Sequence, residues 1–340
     1  MTVPVPQELL DFITMGSKFL IAGHREPDGD CVGSQLALAS ALRRLGKQAI
    51  PCSAGPFKRP EIKGYEPLFT ATVGAAEREG ACLIIMDCAA ASRTGDLASA
   101  LEGLPTAVVD HHAAGECRHS SASAPVFLDA AAPSVTFMTL ALIEALGLTP
   151  TQAEAELLFF GLCTDTGFFR HLDERGDQAF EYAARLIRCG VSPKRVYACM
   201  NGGKSLGSRY LLAIQLERVR PYFNGKLLLT SEEYAETQRF GLEGRDSDSL
   251  YQLLQVVSGV EAVVIIRQEG PETCTVGLRS RDTVDVAAIA ASFGGGGHKN
   301  AAGILLTGTI QELQPRILDA FQTVFGEAGC PQDVCDREVE

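Results

Sequence analysis

Apolar and polar positions follow two rhythms along this chain. In the first half, residues 18–23 (KFLIAG), 82–87 (CLIIMD) and 106–110 (TAVVD) are short uninterrupted apolar runs closing on Gly or Asp. That is the pattern of strands buried in a sheet. Residues 33–45 carry apolar side chains at helical spacing. Pro133 opens a further helix and Gly147 closes it, because proline has no N–H to lose at a first turn and glycine accepts the closing conformation. Residues 150–162 predict another helix. Strands alternating with helices argue for an α/β fold, a parallel sheet with helices on both faces. In such sheets ligands gather at the carboxyl ends of the strands.

The rhythm then changes. Residues 178–189 predict a helix stopped by Gly190, and 191–219 a mostly helical linker. Residues 220–223 and 226–230 flank Asn224-Gly225, a hairpin signal because both positions accept positive φ. Thr230-Ser-Glu-Glu233 fits a capping box before the next helix. Residues 260–268 and 273–280 predict strands and 285–293 a helix, and Pro315 interrupts the last helical pattern. The expected organisation is a first domain over 1–190, the linker over 191–219, a smaller mixed α/β domain over 220–326 and a polar tail over 327–340.

Composition narrows the function classes. The 340 residues fit two domains, and 46% hydrophobic with 21% charged residues exclude a mainly disordered chain. No apolar run approaches the ~18 residues of a membrane span, and the start lacks a basic stretch before an apolar core, so neither a membrane nor a secretory signal is expected. Eleven scattered cysteines without a C-x-x-C pair predict a reduced, cytoplasmic protein; Cys330 and Cys335 read as unconnected thiols of the tail. The net charge is −12, with the acidic excess concentrated in the first 190 residues. Long nucleic acid in a basic groove does not match this balance. A short anion held by a few local cations does, with metal ions supplying positive charge to the first half.

Four segments of that half end in metal-type residues: His24-Arg-Glu-Pro-Asp28-Gly-Asp30, Asp87, Asp110-His111-His112 and Asp165-Thr-Gly167. Singly, each has a plainer reading: a solvated turn for the Asp28/Asp30 pair, an N-cap for Asp87, one packed and one exposed ring for the histidines, a helix C-terminal turn for Asp165. Three of the segments, however, begin where a buried strand emerges. A carboxylate there is costly unless a cation or hydrogen bonds compensate. His119 and His171 lack this context and read as packing or surface residues. Imidazole and carboxylate without a thiolate pair favour Mn²⁺ over structural zinc, with Fe²⁺, Co²⁺ or Mg²⁺ as alternatives. Six such ligands are too many for one catalytic ion, and two divalent ions sharing a carboxylate suit in-line attack on phosphorus. In the second half, Gly294–Gly297 ahead of His298 and Lys299 form a run whose backbone N–H groups could cradle a phosphate, or a plain flexible hinge.

These motifs resemble the DHH phosphoesterase superfamily. The likeness rests on His24-x-x-x-Asp28-x-Asp30-x-x-Gly33-Ser34, Asp87, Asp110-His111-His112 and Asp165-Thr-Gly167, joined by Leu278-Arg279-Ser280-Arg281 and Gly294-Gly-Gly-Gly-His298-Lys-Asn-Ala-Ala-Gly303, which resemble the associated DHHA1 domain. It covers roughly residues 15–325 and shows no lost ligand, against a non-catalytic nucleotide-binding module. The resemblance implies that His24 and Asp28 bind one metal, that Asp87 bridges, and that Asp30, His111 and Asp165 complete the second. It implies that His112 faces the substrate phosphate while Asp110 orients the imidazole. Arg279, Ser280, Arg281, Gly295, Gly296, Gly297 and His298 would hold the far end of a substrate of two to about five nucleotides across an interdomain cleft. The compact length is similar to bacterial nanoRNases that also convert pAp to AMP. Long single-strand exonucleases of the superfamily carry an extra domain for which this chain has no room. The rival enzymatic reading is a phosphodiesterase for cyclic di-AMP or pApA. Pyrophosphatase chemistry is disfavoured by the glycine-rich loop. A homodimer is in keeping with relatives of this size.

Overall fold

The computed structural model describes residues 4–112, 124–172, 176–281 and 283–326. His119 and the tail with Cys330 and Cys335 lie outside the described residues. The chain divides after Gly203 into two compact units.

The first unit runs α1 (Gln7–Met15), β1 (Lys18–Ala22), α2 (Gly29–Arg44), β2 (Gln48–Cys52), α3 (Pro60–Lys63), α4 (Ala75–Arg78), β3 (Cys82–Met86), α5 (Ala98–Leu101), β4 (Thr106–Asp110), β5 (Val126–Leu128), α6 (Val135–Ala145), α7 (Gln152–Asp165), α8 (Asp177–Arg188) and α9 (Pro193–Asn201). Its sheet has the order β2-β1-β3-β4-β5, every pair parallel. Alternate residues of each central strand enter different cores. Phe19, Ile21, Ile84, Met86 and Val109 pack with α2, α6 and α7, whereas Leu20, Ala22, Leu83, Ile85 and Val108 pack with Leu97 and Leu101 on the other face. Burial on both sides is why these strands read as continuous apolar runs. The strand order turns back between β1 and β3, so a crevice opens at their carboxyl ends.

The second unit runs α10 (Leu206–Glu217), β6 (Arg220–Tyr222), β7 (Leu227–Glu232), α11 (Tyr234–Phe240), α12 (Ser247–Gln255), β8 (Ala262–Gly270), β9 (Thr273–Ser280), α13 (Val286–Ser292), β10 (Gly296–His298), β11 (Ala301–Thr307) and α14 (Ile310–Phe325). Its sheet has the order β10-β11-β9-β8-β7-β6, antiparallel except for β7–β8. On one face Val264, Ile266, Val276, Leu278 and Ile304 meet Ile289 of α13 and Leu313, Ile317 and Phe321 of α14. On the other, α12 covers Val263 and Ile265 with Leu250, Tyr251 and Leu254.

Several expectations need correction. The segment read as one linker divides: Val196 of α9 is buried in the core of the first unit, and α10 starts the second. Thr230 caps no helix; it is buried in β7, with its hydroxyl on the Gln215 carbonyl, and the capping box is formed by Glu233 and Glu236. The apolar run from Leu227 simply carries the strand further than the polar residues suggest. The hairpin turn is wider than two residues, with Phe223, Asn224 and Gly225 all at positive φ. Pro315 lies inside a continuous α14. Among the described residues no helix is long and apolar enough to cross a membrane.

Candidate metal centre

β1 delivers the first ligand group. Just beyond it, the His24 ring pairs through Nδ1 with the Arg25 carbonyl (2.9 Å). That commits the ring proton and leaves Nε2 as the lone-pair atom. Nε2 lies 3.4 Å from Asp87 Oδ2 and 3.9 Å from Asp28 Oδ1. Asp28 is the N-cap of α2, accepting from the N–H groups of Asp30 and Cys31 (3.1 Å each). Burial would raise its pKa, yet His24 and the Cys31 N–H hold it at about 2.

Asp87 leaves the tip of β3 with φ of +59°, and its N–H bonds the Val109 carbonyl of β4 (3.0 Å). Its two oxygens face different partners: Oδ2 faces His24, and Oδ1 lies 3.7 Å from His111 Nε2. Burial first, and then the charges of Asp30 and Asp28, push this carboxyl well above its usual range despite the bond from His24. β4 ends at Asp110, and the His111 ring that follows is fixed through Nδ1 to the Ala132 carbonyl (3.1 Å). Its Nε2 is 3.6 Å from Asp165 Oδ2 at the end of α7. Asp165 is raised to about 7, by burial and then by the charge of Asp30.

Asp30 is almost wholly buried, and its carboxylate bridges two helix starts. It lies in the first turn of α2 and accepts from the N–H groups of Val135 (2.6 Å) and Thr136 (2.9 Å) and from the Thr136 hydroxyl (2.7 Å) in the first turn of α6. One lone pair on Oδ2 remains for a cation. Asp30, His111 and Asp165 present ligand atoms within 4.8 Å of one another, as do Asp87, His111 and His112.

The six expected ligands therefore converge, and their chemistry fits divalent cations. Buried carboxylates face imidazole lone pairs at separations too long for good hydrogen bonds, and burial drives three of the acids, Asp30, Asp87 and Asp165, upward in pKa. Both features call for shared positive charge. Sequence reasoning missed Cys31, whose buried sulfur lies within the same 4.8 Å of His24 and Asp87 ligand atoms. It accepts from the Gln35 amide (3.2 Å), and burial pushes its thiol up to about 11. Its position beside Asp30 was the one sequence signal for it.

His112 differs from the ligands. Its Nδ1 bonds Asp110 Oδ1 at 2.7 Å, and the bond raises the imidazole pKa above its ordinary value. With Nδ1 committed to Asp110, Nε2 carries a proton only when the ring is charged. Asp110 is buried and accepts the His112 N–H as well (3.1 Å), and among the described residues its Oδ2 has no hydrogen-bond partner.

The second unit gathers only part of its expected set. In the sheet register Arg279 pairs with Ala301, and Ala301 with His298. Directly paired residues share a face, so Arg279 and His298 stand two strands apart, about 10 Å, on one side of the sheet. The next row is Gly277, Gly303 and Gly296, which leaves a floor of bare backbone beside those two side chains. This face borders a cavity of about 660 Å³ lined by Tyr251, Arg267, Gly277, Arg279, Gly296 and Leu305. Ser280 turns to the opposite face, where its hydroxyl bonds the Val284 and Lys299 carbonyls. Arg281 lies past the strand, with its guanidinium on the Gln255 carbonyl at the end of α12. The glycine run is divided: Gly294 and Gly295 close α13 through bonds to the Ala291 and Ala290 carbonyls, and Gly296 and Gly297 enter the edge strand β10. Gly297 has φ of +150°, and a Cβ there would stand 2.4 Å from the Ala301 carbonyl oxygen, so close pairing with β11 requires glycine at 297. A Cβ at Gly295 would similarly meet the Gly303 carbonyl at 2.4 Å.

Comparison with known proteins agrees with this layout. Residues 18–162 match the DHH family, N-terminal domain, and residues 230–327 the DHHA1 domain. The chain is 31% identical, over 91% of its length and 90% of the relative's, to the bifunctional oligoribonuclease and PAP phosphatase NrnA of Thermus thermophilus. It is 25% identical to the cyclic-di-AMP phosphodiesterase GdpP of Geobacillus thermodenitrificans, of which it spans half. In fold it is similar to an exopolyphosphatase-related protein from Bacteroides fragilis, with TM-score 0.78 at 20% identity over 96% of this chain and all of the other. Two consecutive domain matches, a full-length relative and strand-tip ligands in the family's order lead to one assignment: the chain belongs to the DHH phosphoesterase family, hydrolases that use divalent metal ions, and carries a DHH domain followed by a DHHA1 domain.

Proposed function

We propose that this protein hydrolyses short oligoribonucleotides to mononucleotides and converts pAp to AMP. The observation that carries the reading is Asp87: one carboxylate at the tip of a central strand offers separate oxygens to His24 and His111, as a ligand shared by two ions would. His24 and Asp28 would hold one ion, and Asp30, His111 and Asp165 the other. Mn²⁺ suits this oxygen and nitrogen set. When bound, the ions supply the charge that stabilises the phosphorane-like transition state and lowers the pKa of the attacking water.

The chain's own residues do the rest. Water attacks phosphorus, the P–O bond to the leaving ribose oxygen breaks, and His112 gives that oxygen a proton from Nε2. Asp110 keeps the ring oriented and favours its charged form, as the 2.7 Å bond supports. Arg279 and His298 bind a second phosphate of the substrate. The NrnA relatives support this substrate class. The described cysteines are all free thiols, which supports a reducing, cytoplasmic setting. The likeness to GdpP keeps a cyclic or linear dinucleotide substrate as the second reading.

The test is a substrate panel with Mn²⁺ and with metal stripped. Hydrolysis of a labelled diribonucleotide and of pAp is expected. Failure on both, with metal shown bound, removes the proposal. A tenfold preference in kcat/KM for cyclic di-AMP, about 1.4 kcal/mol, selects the second reading.

A further inference from the structure

Arg279 does not stand free in its cavity; its guanidinium carbon lies 4.7 Å from the centroid of the Tyr251 ring. Tyr251 belongs to α12, where Leu250 and Leu254 anchor it against Val263 and Ile265. From there the ring reaches across the sheet face to β9. Its hydroxyl end rests on Gly277, two residues from Arg279 on the same face. A Cβ at 277 would lie 2.2 Å from the hydroxyl oxygen and 3.4 Å from Cζ. Any other residue at 277 would lift the ring.

Beyond the hydroxyl stands Arg267. The same hypothetical Cβ is 3.4 Å from its Nη1. Arg267 is itself immobilised: Nη2 donates to the Ser247 hydroxyl (2.8 Å), and Nε is 3.7 Å from the buried Glu232 carboxylate. Glu232 is held in turn by Arg245 (2.8 Å) and Gln215 (3.1 Å). The Tyr251 oxygen is buried and, among the described residues, makes no hydrogen bond of good geometry. The hydroxyl lies beside the Arg267 guanidinium, and the ring face is the part that meets Arg279.

We propose that Tyr251 is a positioning residue for Arg279, and that Gly277 is glycine in order to admit it. A free arginine loses much rotamer freedom on gripping a phosphate. Lying on a ring, with Nη1 also bonded to the Leu278 carbonyl (3.1 Å), the guanidinium has that freedom removed before substrate arrives. This rests on the reading of Arg279 as a phosphate-binding residue, and extends it to the ring on which its guanidinium lies.

The experiment is a double-mutant cycle on diribonucleotide hydrolysis with the full-length, metal-loaded protein, reading KM and kcat separately. Arg279→Ala is expected to raise KM about tenfold or more. Tyr251→Met, which fills the space without a π face, is expected to raise KM about fivefold with kcat within twofold. Tyr251→Phe keeps the ring and is expected to stay within twofold of the parent in both. In the Arg279→Ala background, Tyr251→Met adds nothing. Gly277→Ala supplies a second route, since displacing the ring reproduces the Tyr251→Met phenotype. An equal KM rise from Tyr251→Met with and without Arg279 overturns the positioning role, as does a parent-like KM in Tyr251→Met while Arg279→Ala is impaired. A parent-like KM in Arg279→Ala instead sinks the reading of Arg279 itself.

Discussion

Left-handed backbone costs a non-glycine residue about 1 kcal/mol or more, and Asp87 adopts it at the mouth of the crevice. The bond from its N–H to β4 and the shape of the strand end hold it there. The carboxylate thereby faces both His24 and His111. Asp87→Asn keeps the volume and removes the charge. It is expected to abolish turnover and to lower bound metal from two equivalents, measured by elemental analysis of the dialysed protein; full metal content with full activity would refute the shared-ligand role. His112 predicts the opposite split. His112→Ala should cut kcat by about 10²–10⁴ while metal content stays at the parent level. His24, Asp87 and the Asp110-His111 pair were legible as candidate ligands because each follows a buried apolar strand, whose end must open into a loop. The partners that aim them were not legible. Val135 and Thr136 meet Asp30 across more than a hundred residues, and nothing local announces it. Ser280 misled for a related reason: it sits in the motif, but strand alternation turns its hydroxyl away from Arg279.

Helices set the height and tilt of these ligands. α2 carries Asp28 and Asp30 at its start, α7 carries Asp165 at its end, and the two helices are locked by Glu154. That fully buried carboxylate accepts from the Ser40 hydroxyl (2.7 Å) and Arg44 (2.7 Å) of α2, and closes the capping box of α7 through the Thr151 N–H (2.8 Å). Glu154→Ala removes the cap and leaves those donors unpaired, a loss of about 2–4 kcal/mol readable as a lower urea midpoint. Unchanged stability would show that the lock is dispensable. The fully buried strands β1, β3 and β4 and the helices with apolar faces were predictable from hydrophobic pattern alone. β2 and β5 were not. One contains Pro51 and the other is three residues long, and both are edge strands whose pairing is dictated by their neighbours in the sheet. β10 was hidden for another reason: Gly-Gly-His has no strand propensity, and only the pairing with β11 makes it one.

Charge decides what length of substrate the whole chain can favour. It carries −12 overall, and the cations on the sheet face that holds Arg279 are few. A long strand would gain its first contacts from Arg279 and His298, and then meet an acidic protein that repels every further phosphate. The proposed contacts through Arg279 and His298, two at most, would give a single-stranded ligand a shallow salt dependence, with log of the apparent affinity falling against log of salt at a slope of about −1.4 or less. A processive groove with six or more contacts would give about −4. The measurement is KM for a diribonucleotide, a tetramer and a 24-mer between 50 and 300 mM KCl at fixed free Mn²⁺. The expected outcome is a common shallow slope for the two short substrates, with no gain in affinity for the 24-mer. A steep slope that grows with length would mean that a basic track binds the strand. Short oligomers would then be merely the residue of a longer digestion, and the acidic balance of the chain would have been misread as a limit on its substrates.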